Sequence, residues 1–283
     1  MTVVLQVSDP HFGTERPAVV AALEQLAVAL RPDLLLMSGD ITQRGRSGQF
    51  DRARAFADRL AVPAELVIPG NHDIPLFNLA LRLFAPYRHH RRVFGAELEP
   101  RFDDANVCVL GLNTTRWWRH ADGQVSAAQV RRVAGDLDAS RRARPGQWRI
   151  VVVHQPVAVT RPQDRHDLLH GHAAAVRQWS AAGADLIVGG HIHLPFVLPL
   201  RQQWPDLPQP VWAVQAGTAV SHRVRAEAGN SVNVIRALAA GAPPPGGTAA
   251  TPRRCVVERW DHRPASQRFE RVSVHGLEPD GAG

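Results

Sequence analysis

The stretch VVLQVSDPHFG, residues 3–13, begins with a run of apolar, mostly β-branched residues and ends in a polar turn. Two further stretches repeat this arrangement, LLLMSGDIT at residues 34–42 and ELVIPGNHD at residues 65–73. Segments with the apolar spacing of an amphipathic helix separate the three runs. The order is therefore strand, helix, strand, helix, strand, which favours parallel strands joined by crossover helices.

The alternation continues into the second half of the chain. Strands are predicted at residues 107–112, 150–153 and 186–188, and helices at residues 76–84, 126–140 and 173–181. After His193 only short strand patterns follow, at residues 196–200, 211–215, 231–235, 255–260 and 269–274. This change predicts antiparallel strands that complete a second sheet.

The composition is that of a globular protein. Of 283 residues, 45% are hydrophobic and 21% are charged, which excludes a disordered chain and allows a sizeable core. We expect one domain over residues 1–277, with a Pro/Gly-rich loop near residues 239–252 and a flexible tail at residues 278–283. No apolar run approaches the roughly 20 residues that span a membrane, and the first residues do not resemble a signal peptide. A cytoplasmic location is therefore expected.

The chain has 33 basic and 26 acidic residues, which give a net charge of +7, and all of the basic residues are arginines. The arginines are scattered along the chain, and a nucleic-acid-binding surface normally concentrates them. The charge alone therefore does not predict a nucleic-acid partner.

Polar side chains capable of binding metal follow five of the predicted strands. They are Asp9 and His11, Asp40, Asn71 and His72, His154, and His191 and His193. In open α/β sheets the carboxyl ends of the strands share one edge, where ligands gather. Carboxylates, an amide and imidazoles suit zinc, manganese or iron. Asp40, which follows Gly39 directly, is the natural bridge between two ions roughly 3.5–4 Å apart.

This ordered set resembles the calcineurin-like metallophosphoesterase superfamily, whose pattern is D-x-H, GD, GNH(D/E), H and GHxH. The resemblance extends from Val3 to about Ile235. It implies a four-layer α/β/β/α sandwich with two mixed β-sheets. The GNHD and GHIH sequences and the compact length are most similar to the bacterial branch that cleaves cyclic nucleotides and glycerophosphodiesters.

The resemblance also implies a role for each matching residue. The ligands of a first metal ion would be Asp9, His11, Asp40 and His193. The ligands of a second would be Asp40, Asn71, His154 and His191. His72 would face the scissile phosphate. Its imidazole also makes it the candidate to protonate the leaving group. Asp73 would either orient the imidazoles as an outer partner or serve as a turn residue. Asn113, Arg116 and His170 lie in loops expected at the same edge, and they are candidates to contact the substrate.

The implied activity is hydrolysis of a phosphodiester, with a 3′,5′-cyclic nucleotide as one candidate, by attack of a metal-activated hydroxide on phosphorus. A phosphomonoesterase acting on a nucleotide or another small phosphate ester is the alternative, because the same metal centre serves both reactions. A nuclease or a non-catalytic scaffold is a weaker alternative. The cofactors would be two ions of manganese, iron or zinc. The partner would be a small phosphoester, and a homodimer is compatible with the sequence.

Overall fold

A computed structural model describes residues 1–119, 121–241 and 252–278. Within these residues the chain forms two six-stranded sheets and six α-helices. The strands are β1 (Thr2–Val7), β2 (Leu34–Ser38), β3 (Ala64–Ile68), β4 (Arg101–Asp103), β5 (Val107–Gly111), β6 (Trp148–Val152), β7 (Leu186–Gly189), β8 (Phe196–Pro199), β9 (Trp212–Gln215), β10 (Ser231–Leu238), β11 (Arg254–Arg263) and β12 (Arg268–Leu277). The helices are α1 (Pro17–Leu30), α2 (Ser47–Leu60), α3 (Leu79–Phe84), α4 (Arg88–Phe94), α5 (Ala127–Ala143) and α6 (His172–Ala182).

The first sheet has the order β12-β11-β10-β1-β2-β3, and the second has the order β4-β5-β6-β7-β9-β8. Strands β1 to β3 are parallel, as the strand–helix alternation predicts. The prediction that all the late strands complete the second sheet is wrong for three of them. Strand β10 pairs antiparallel with β1, and β11 and β12 extend the first sheet from there. Only β8 and β9 join the second sheet, because the open edge beside β1 accepts the longer strands. Strand β9 pairs parallel with β7, so the predicted antiparallel direction is also wrong for this strand.

Three apolar clusters separate the layers. Val4, Leu36 and Ile150 belong to a cluster between the sheets, to which both sheets contribute. On the outer faces, one cluster joins the first sheet to α1 and α2, and another joins the second sheet to α5 and α6. Strand β1 contributes to two clusters, because successive side chains of a strand point to opposite faces of the sheet. Val4 lies in the cluster between the sheets, and Leu5 lies in the outer cluster. The four-layer α/β/β/α sandwich with two mixed sheets is thus confirmed.

A polar contact ties the two sheets together near the strand ends. The buried amide of Gln6 donates to the carbonyl of Gly189 in the opposite sheet at 2.9 Å and to Oγ of Ser38 at 3.1 Å. Its oxygen accepts from the side-chain amide of Asn233 at 2.9 Å. Buried polar groups that are fully paired fix a single alignment of the layers. This alignment brings the turns after β1, β2 and β7 to one place.

The segment between β3 and β5 differs most from the prediction. The helix predicted at residues 76–84 begins at Leu79, because the side chain of Asn78 caps it by accepting from the amide of Leu81 at 2.9 Å. Helix α4 and strand β4 were not predicted. Of the predicted loop and tail, residues 242–251 and 279–283 lie outside the described residues. None of the helices in the described ranges has the length and hydropathy needed to cross a membrane.

Candidate metal centre

The turns that follow β1, β2, β3, β6 and β7 meet at one edge of the sandwich. They bring together the side chains predicted as metal ligands, which are Asp9, His11, Asp40, Asn71, His154, His191 and His193. The side chains of Asp9, His11 and His154 are fully buried, and Asp40 is 2% exposed. Residues as far apart in sequence as Asp9 and His193 are therefore in direct contact at the centre of the site.

One group of donors surrounds the end of β1. Nε2 of His11 lies 3.1 Å from Nε2 of His193, which in turn lies 3.2 Å from Oδ1 of Asp9. Oδ2 of Asp40 lies 3.7 Å from Nε2 of His11. The other oxygen of Asp9 is already engaged, because it accepts from Oγ of Ser8 and from the backbone amide of His191. Oδ1 of Asp9 is therefore the atom left to bind an ion.

A second group of donors lies beside it. Nε2 of His154 is 3.2 Å from Oδ1 of Asp40 and 3.2 Å from Oδ1 of Asn71. One nitrogen of His191 joins Asp40 and His154 within 4.8 Å. Asp40 belongs to both groups and directs Oδ1 to the second and Oδ2 to the first. This is the placement that a bridging carboxylate requires.

Each of three histidines is oriented by a partner behind it. Nδ1 of His154 donates to the carbonyl of Ser38 at 2.9 Å, and Nδ1 of His193 donates to the carbonyl of Arg223 at 2.6 Å. Nε2 of His191 lies 3.5 Å from Oδ1 of Asp167, while its Nδ1 is buried without a hydrogen-bond partner among the described residues. Such outer partners fix the tautomer and leave the other nitrogen free to coordinate a metal.

These contacts require positive charge between the donors. With Nδ1–H of His193 committed to a carbonyl, neutral His193 would direct the lone pair of Nε2 at Oδ1 of Asp9. The same conflict arises between Nε2 of His154 and Asp40. Two lone pairs at 3.2 Å repel each other unless a proton or a metal ion lies between them. The donor set therefore fits the pair of metal ions that the sequence predicts.

The pKa shifts of the donor residues also indicate that the site favours a positive charge. Burial acts to lower the pKa of His154, but the charge of Asp40 and its hydrogen bond outweigh burial and raise that pKa to about 9. Burial acts to raise the pKa of Asp40, but the charges of His154 and His72 hold it well below its usual value. For His11, burial dominates and lowers the pKa to about 3. Neutral His11 is the form that can bind a metal ion.

The backbone at the site is strained. Eight non-glycine residues in the described ranges have positive φ, and five of them are predicted ligands. These are Asp9 (50°), His11 (46°), Asp40 (49°), His191 (71°) and His193 (54°). Left-handed backbone at such residues costs of order 1–3 kcal/mol each and is found mainly at functional sites. This backbone conformation directs the side chains of successive turns toward one small volume.

Two glycines allow these turns to approach each other. A Cβ atom on Gly70 would lie 2.0 Å from the backbone nitrogen of Asp40 and 2.2 Å from its Oδ1. A Cβ atom on Gly190 would lie 1.9 Å from Oγ of Ser8 and 2.3 Å from Oδ2 of Asp9. Neither position can hold a larger residue without moving a donor.

His72 borders the donors on the more open side, and its side chain is 23% exposed. Its Nδ1 donates to the carbonyl of Gln43 at 2.9 Å, and its Nε2 accepts from the guanidinium of Arg223 at 3.1 Å. Nε2 lies 4.0 Å from Oδ2 of Asp40. His72 and Arg223 thus form a pair at the mouth of the donor cluster.

Asp73 orients the backbone of the site. It is buried, and its carboxylate accepts from the amides of Ile41, Thr42 and Gly70 and from the hydroxyl of Thr42. Burial and the charge of Asp40 raise its pKa to about 7, against the effect of these four donors. Backbone carbonyls and Asp167 support the imidazoles instead, so Asp73 fixes the turns after β2 and β3.

The residues predicted to contact substrate make their hydrogen bonds and ion pairs with residues outside this cluster. Oδ1 of Asn113 accepts from Thr115, and the guanidinium of Arg116 donates to the carbonyls of Asn113 and Thr115 and to Oε1 of Gln129. His170 is exposed and lies 3.7 Å from Asp122. Among the described residues, none of these hydrogen bonds or ion pairs reaches the predicted metal ligands.

Two residues that contact the site, Arg223 and Asp167, were not predicted from the sequence. Arg223 lies eight residues beyond β9, and Asp167 lies in a short helical turn at Pro162–Asp167. One signal pointed toward Arg223, because the segment after residues 211–215 also leaves a strand of the second sheet. No local signal marks Asp167.

Comparison with known proteins gives the family. A family model described as calcineurin-like phosphoesterase matches residues 2–195. A probable cyclic nucleotide phosphodiesterase from a Synechococcus strain is 46% identical over 44 residues, which are 16% of this chain and 17% of that protein. A dimetal phosphatase from Danio rerio has the same fold, with a TM-score of 0.61 and 13% identity over 99% of both chains.

A purple acid phosphatase from yellow lupin (Lupinus luteus) seeds also shares the fold, with a TM-score of 0.64 and 13% identity. That match spans 99% of this chain and 54% of the lupin chain. The family model covers well over half of the chain, and the structure brings together the residues of the family pattern. The chain therefore belongs to the calcineurin-like phosphoesterase family.

Proposed function

We propose that the protein hydrolyses a phosphodiester at two metal ions held by the turns after β1, β2, β3, β6 and β7. The observation that carries this proposal is the position of Asp40, which turns one carboxylate oxygen to each of two donor groups. A single structural ion would need only one of these groups. Two adjacent ions are the arrangement used for in-line displacement at phosphorus.

The donor groups support a division of the ligands between two ions. Asp9, His11, Asp40 and His193 would hold one ion, and Asp40, Asn71, His154 and His191 would hold the other. Manganese, iron and zinc all accept this mixture of oxygen and nitrogen ligands. When bound, the ions supply Lewis acidity toward the phosphoryl oxygens and allow water to ionise near neutral pH.

Other residues of the chain act on the substrate. His72 and Arg223 lie side by side at the mouth of the cluster, where both can stabilise negative charge on the phosphoryl oxygens. Nδ1 of His72 is committed to the carbonyl of Gln43, so Nε2 is the atom that can pass a proton to the leaving oxygen, once it has taken that proton from solvent and the guanidinium of Arg223 has turned from Nε2 to the phosphoryl oxygens. Asp73 holds the turns after β2 and β3 in place, and Asp167 orients His191.

Two observations bear on the ester class. The matched segment of the Synechococcus relative supports a diester, with a cyclic nucleotide as a candidate substrate. Two divalent ions would bring four positive charges, and the carboxylates of Asp9 and Asp40 and one hydroxide would neutralise three of them. The single positive charge that remains suits a monoanionic diester. Arg223 adds a further positive charge beside His72, and this favours the dianionic monoester of the alternative function.

The test is hydrolysis of matched chromogenic esters. Metal-stripped protein is reloaded with manganese, its metal content is measured, and it is assayed with bis-p-nitrophenyl phosphate and with p-nitrophenyl phosphate. His191→Ala removes a ligand of one ion and should abolish metal-dependent turnover. His275→Ala is the matched control, because His275 lies on the outer strand β12 and should not affect activity.

Faster cleavage of the diester, dependent on metal and on His191, would support the proposal and justify an assay of 3′,5′-cyclic AMP. Faster cleavage of the monoester would assign the protein to the phosphatases. If two ions bind and neither ester is cleaved, the proposed activity is wrong.

A further inference from the structure

We propose that the substrate carries a second anionic group, which binds in a cleft that opens beside His72. This inference rests on the proposed function and specifies its substrate. We call the site the arginine cleft, and its walls include Arg44, Arg46, Arg82, Leu76 and Phe77.

The arginine cleft is continuous with the reaction centre. A cavity of about 40 Å³ lies against Asn71 and His72 and is also lined by Arg44, Leu76 and Arg82. A larger cavity of about 320 Å³ shares Arg44 and Leu76 with it and extends toward Arg46. A phosphate ester bound at His72 would therefore extend its organic part toward Arg44.

The charge of the cleft is positive and uncompensated. Among the described residues, no acidic side chain lines either cavity, and no carboxylate lies within 4.0 Å of the basic groups of Arg44, Arg46 or Arg82. The neighbouring helix α2 shows the usual surface pattern instead. There, Arg52 pairs with Glu15 at 2.8 Å, and Arg59 pairs with Glu24 at 2.7 Å.

Two of the three arginines of the cleft, Arg82 and Arg44, are held in position. The guanidinium of Arg82 donates to the carbonyls of Pro75 at 3.4 Å and Arg119 at 3.2 Å. The guanidinium of Arg44 lies 5.4 Å from the centre of the Phe77 ring. A planar guanidinium on an aromatic face keeps its N–H donors free for an oxyanion.

The same walls supply apolar surface. Phe77 is 73% exposed although it is a large aromatic residue, and Leu76 lines both cavities. A ring or chain between two anionic groups would cover this surface while the second group meets Arg44. The ligand class is therefore an organic phosphodiester that bears a further phosphate, such as a nucleoside derivative phosphorylated at a second position.

Matched substrates test this inference. The first is the p-nitrophenyl ester of thymidine 5′-phosphate, and the second is the same ester with an added 3′-phosphate. Loss of a charged hydrogen bond changes affinity by about tenfold or more. We expect kcat/KM for the phosphorylated ester to exceed that for the plain ester by about tenfold, and Arg44→Ala to bring the ratio close to one.

Arg268→Ala is the control, because Arg268 is exposed at the start of β12 and also lacks a carboxylate within 4.0 Å among the described residues. It removes the same charge and should leave the ratio of the parent unchanged. A parent that does not distinguish the two esters, or a preference that survives Arg44→Ala, would overturn the inference.

A binding measurement separates this inference from the proposed function. Calorimetry on the manganese-loaded protein compares adenosine 3′,5′-bisphosphate with adenosine 5′-phosphate. If no ester is hydrolysed, the proposed function fails, yet tighter binding of the bisphosphate that disappears in Arg44→Ala would still support the cleft. Equal binding of the two nucleotides would refute it independently of turnover.

Discussion

The guanidinium of Arg223 lies 3.1 Å from Nε2 of His72, while the backbone carbonyl of the same arginine accepts from Nδ1 of His193 at 2.6 Å. One residue thus contacts both a predicted metal ligand, His193, and His72, the residue that we propose faces the substrate. The two contacts use different parts of Arg223. Substitution of its side chain therefore separates them.

We predict that Arg223→Ala lowers kcat for the preferred ester by about 10- to 100-fold, because it removes a charged hydrogen-bond donor at the phosphoryl group. The metal content should stay at the parental value, since the carbonyl that holds His193 remains. Arg223→Lys should recover part of the activity, because it restores the charge without the planar fork. Loss of metal together with activity would show that the side chain acts on the metal site itself.

Gly70→Ala should weaken metal binding at least tenfold and lower Tm, because its Cβ would displace Asp40. Gly135→Ala is the matched control, since Gly135 lies inside α5 and a Cβ there meets nothing within 4 Å. The control should raise the free energy of unfolding by about 0.5–1 kcal/mol. Metal titration and thermal unfolding of the two variants check this pair. Parental metal affinity in Gly70→Ala would contradict the close packing of the two turns.

Asp73→Asn should lower the free energy of unfolding by about 1–3 kcal/mol, because the new NH2 group would face two of the four donors that surround Asp73 and leave them without an acceptor. Metal affinity should fall about 10- to 100-fold, as is usual when a group that supports the ligands is lost. Urea unfolding and calorimetric metal titration measure the two effects. Parental values in both would mean that the carboxylate does not organise these turns.

His90 gives a pH-dependent prediction away from the site. It is fully buried between Phe50 and Phe94, and burial lowers its pKa to about 4. Below about pH 6.5, His90 is therefore protonated in the unfolded chain but stays neutral in the folded chain. The free energy of unfolding should fall as the pH drops toward 4, by a total of about 3 kcal/mol from this residue.

His90→Leu should remove that part of the acid sensitivity. Urea unfolding of metal-stripped parent and variant between pH 7 and pH 4 measures it, and the difference between the curves isolates His90 from the other histidines. Curves that stay parallel over this range would mean that His90 titrates alike in both states.

The sequence predicted those parts of the molecule that depend on local signals. Asp9, Asp40 and His191 each come within three residues of the end of an apolar strand, and parallel strands bring such positions to one edge. Arg223 and Asp167 lie in longer loops, where only the tertiary fold decides what a side chain meets. Spacing could therefore predict which candidate ligands meet at this edge, but not which residues orient them.

The placement of β10 shows the same limit at the level of the fold. A short alternating run at residues 231–235 predicts a strand, but it carries no information about which sheet edge accepts it. The pairing of β10 with β1 is a contact between residues more than 200 positions apart. The wrong assignment of β10 to β12 followed from reading sequence order as spatial order.

The left-handed backbone of the predicted ligands has a consequence for the stability of the fold. At Asp9, His11, Asp40, His191 and His193, glycine would relieve strain, and asparagine would relieve part of it. This chain nevertheless has aspartate or histidine at all five positions, so the fold gives up stability in order to hold these donors together.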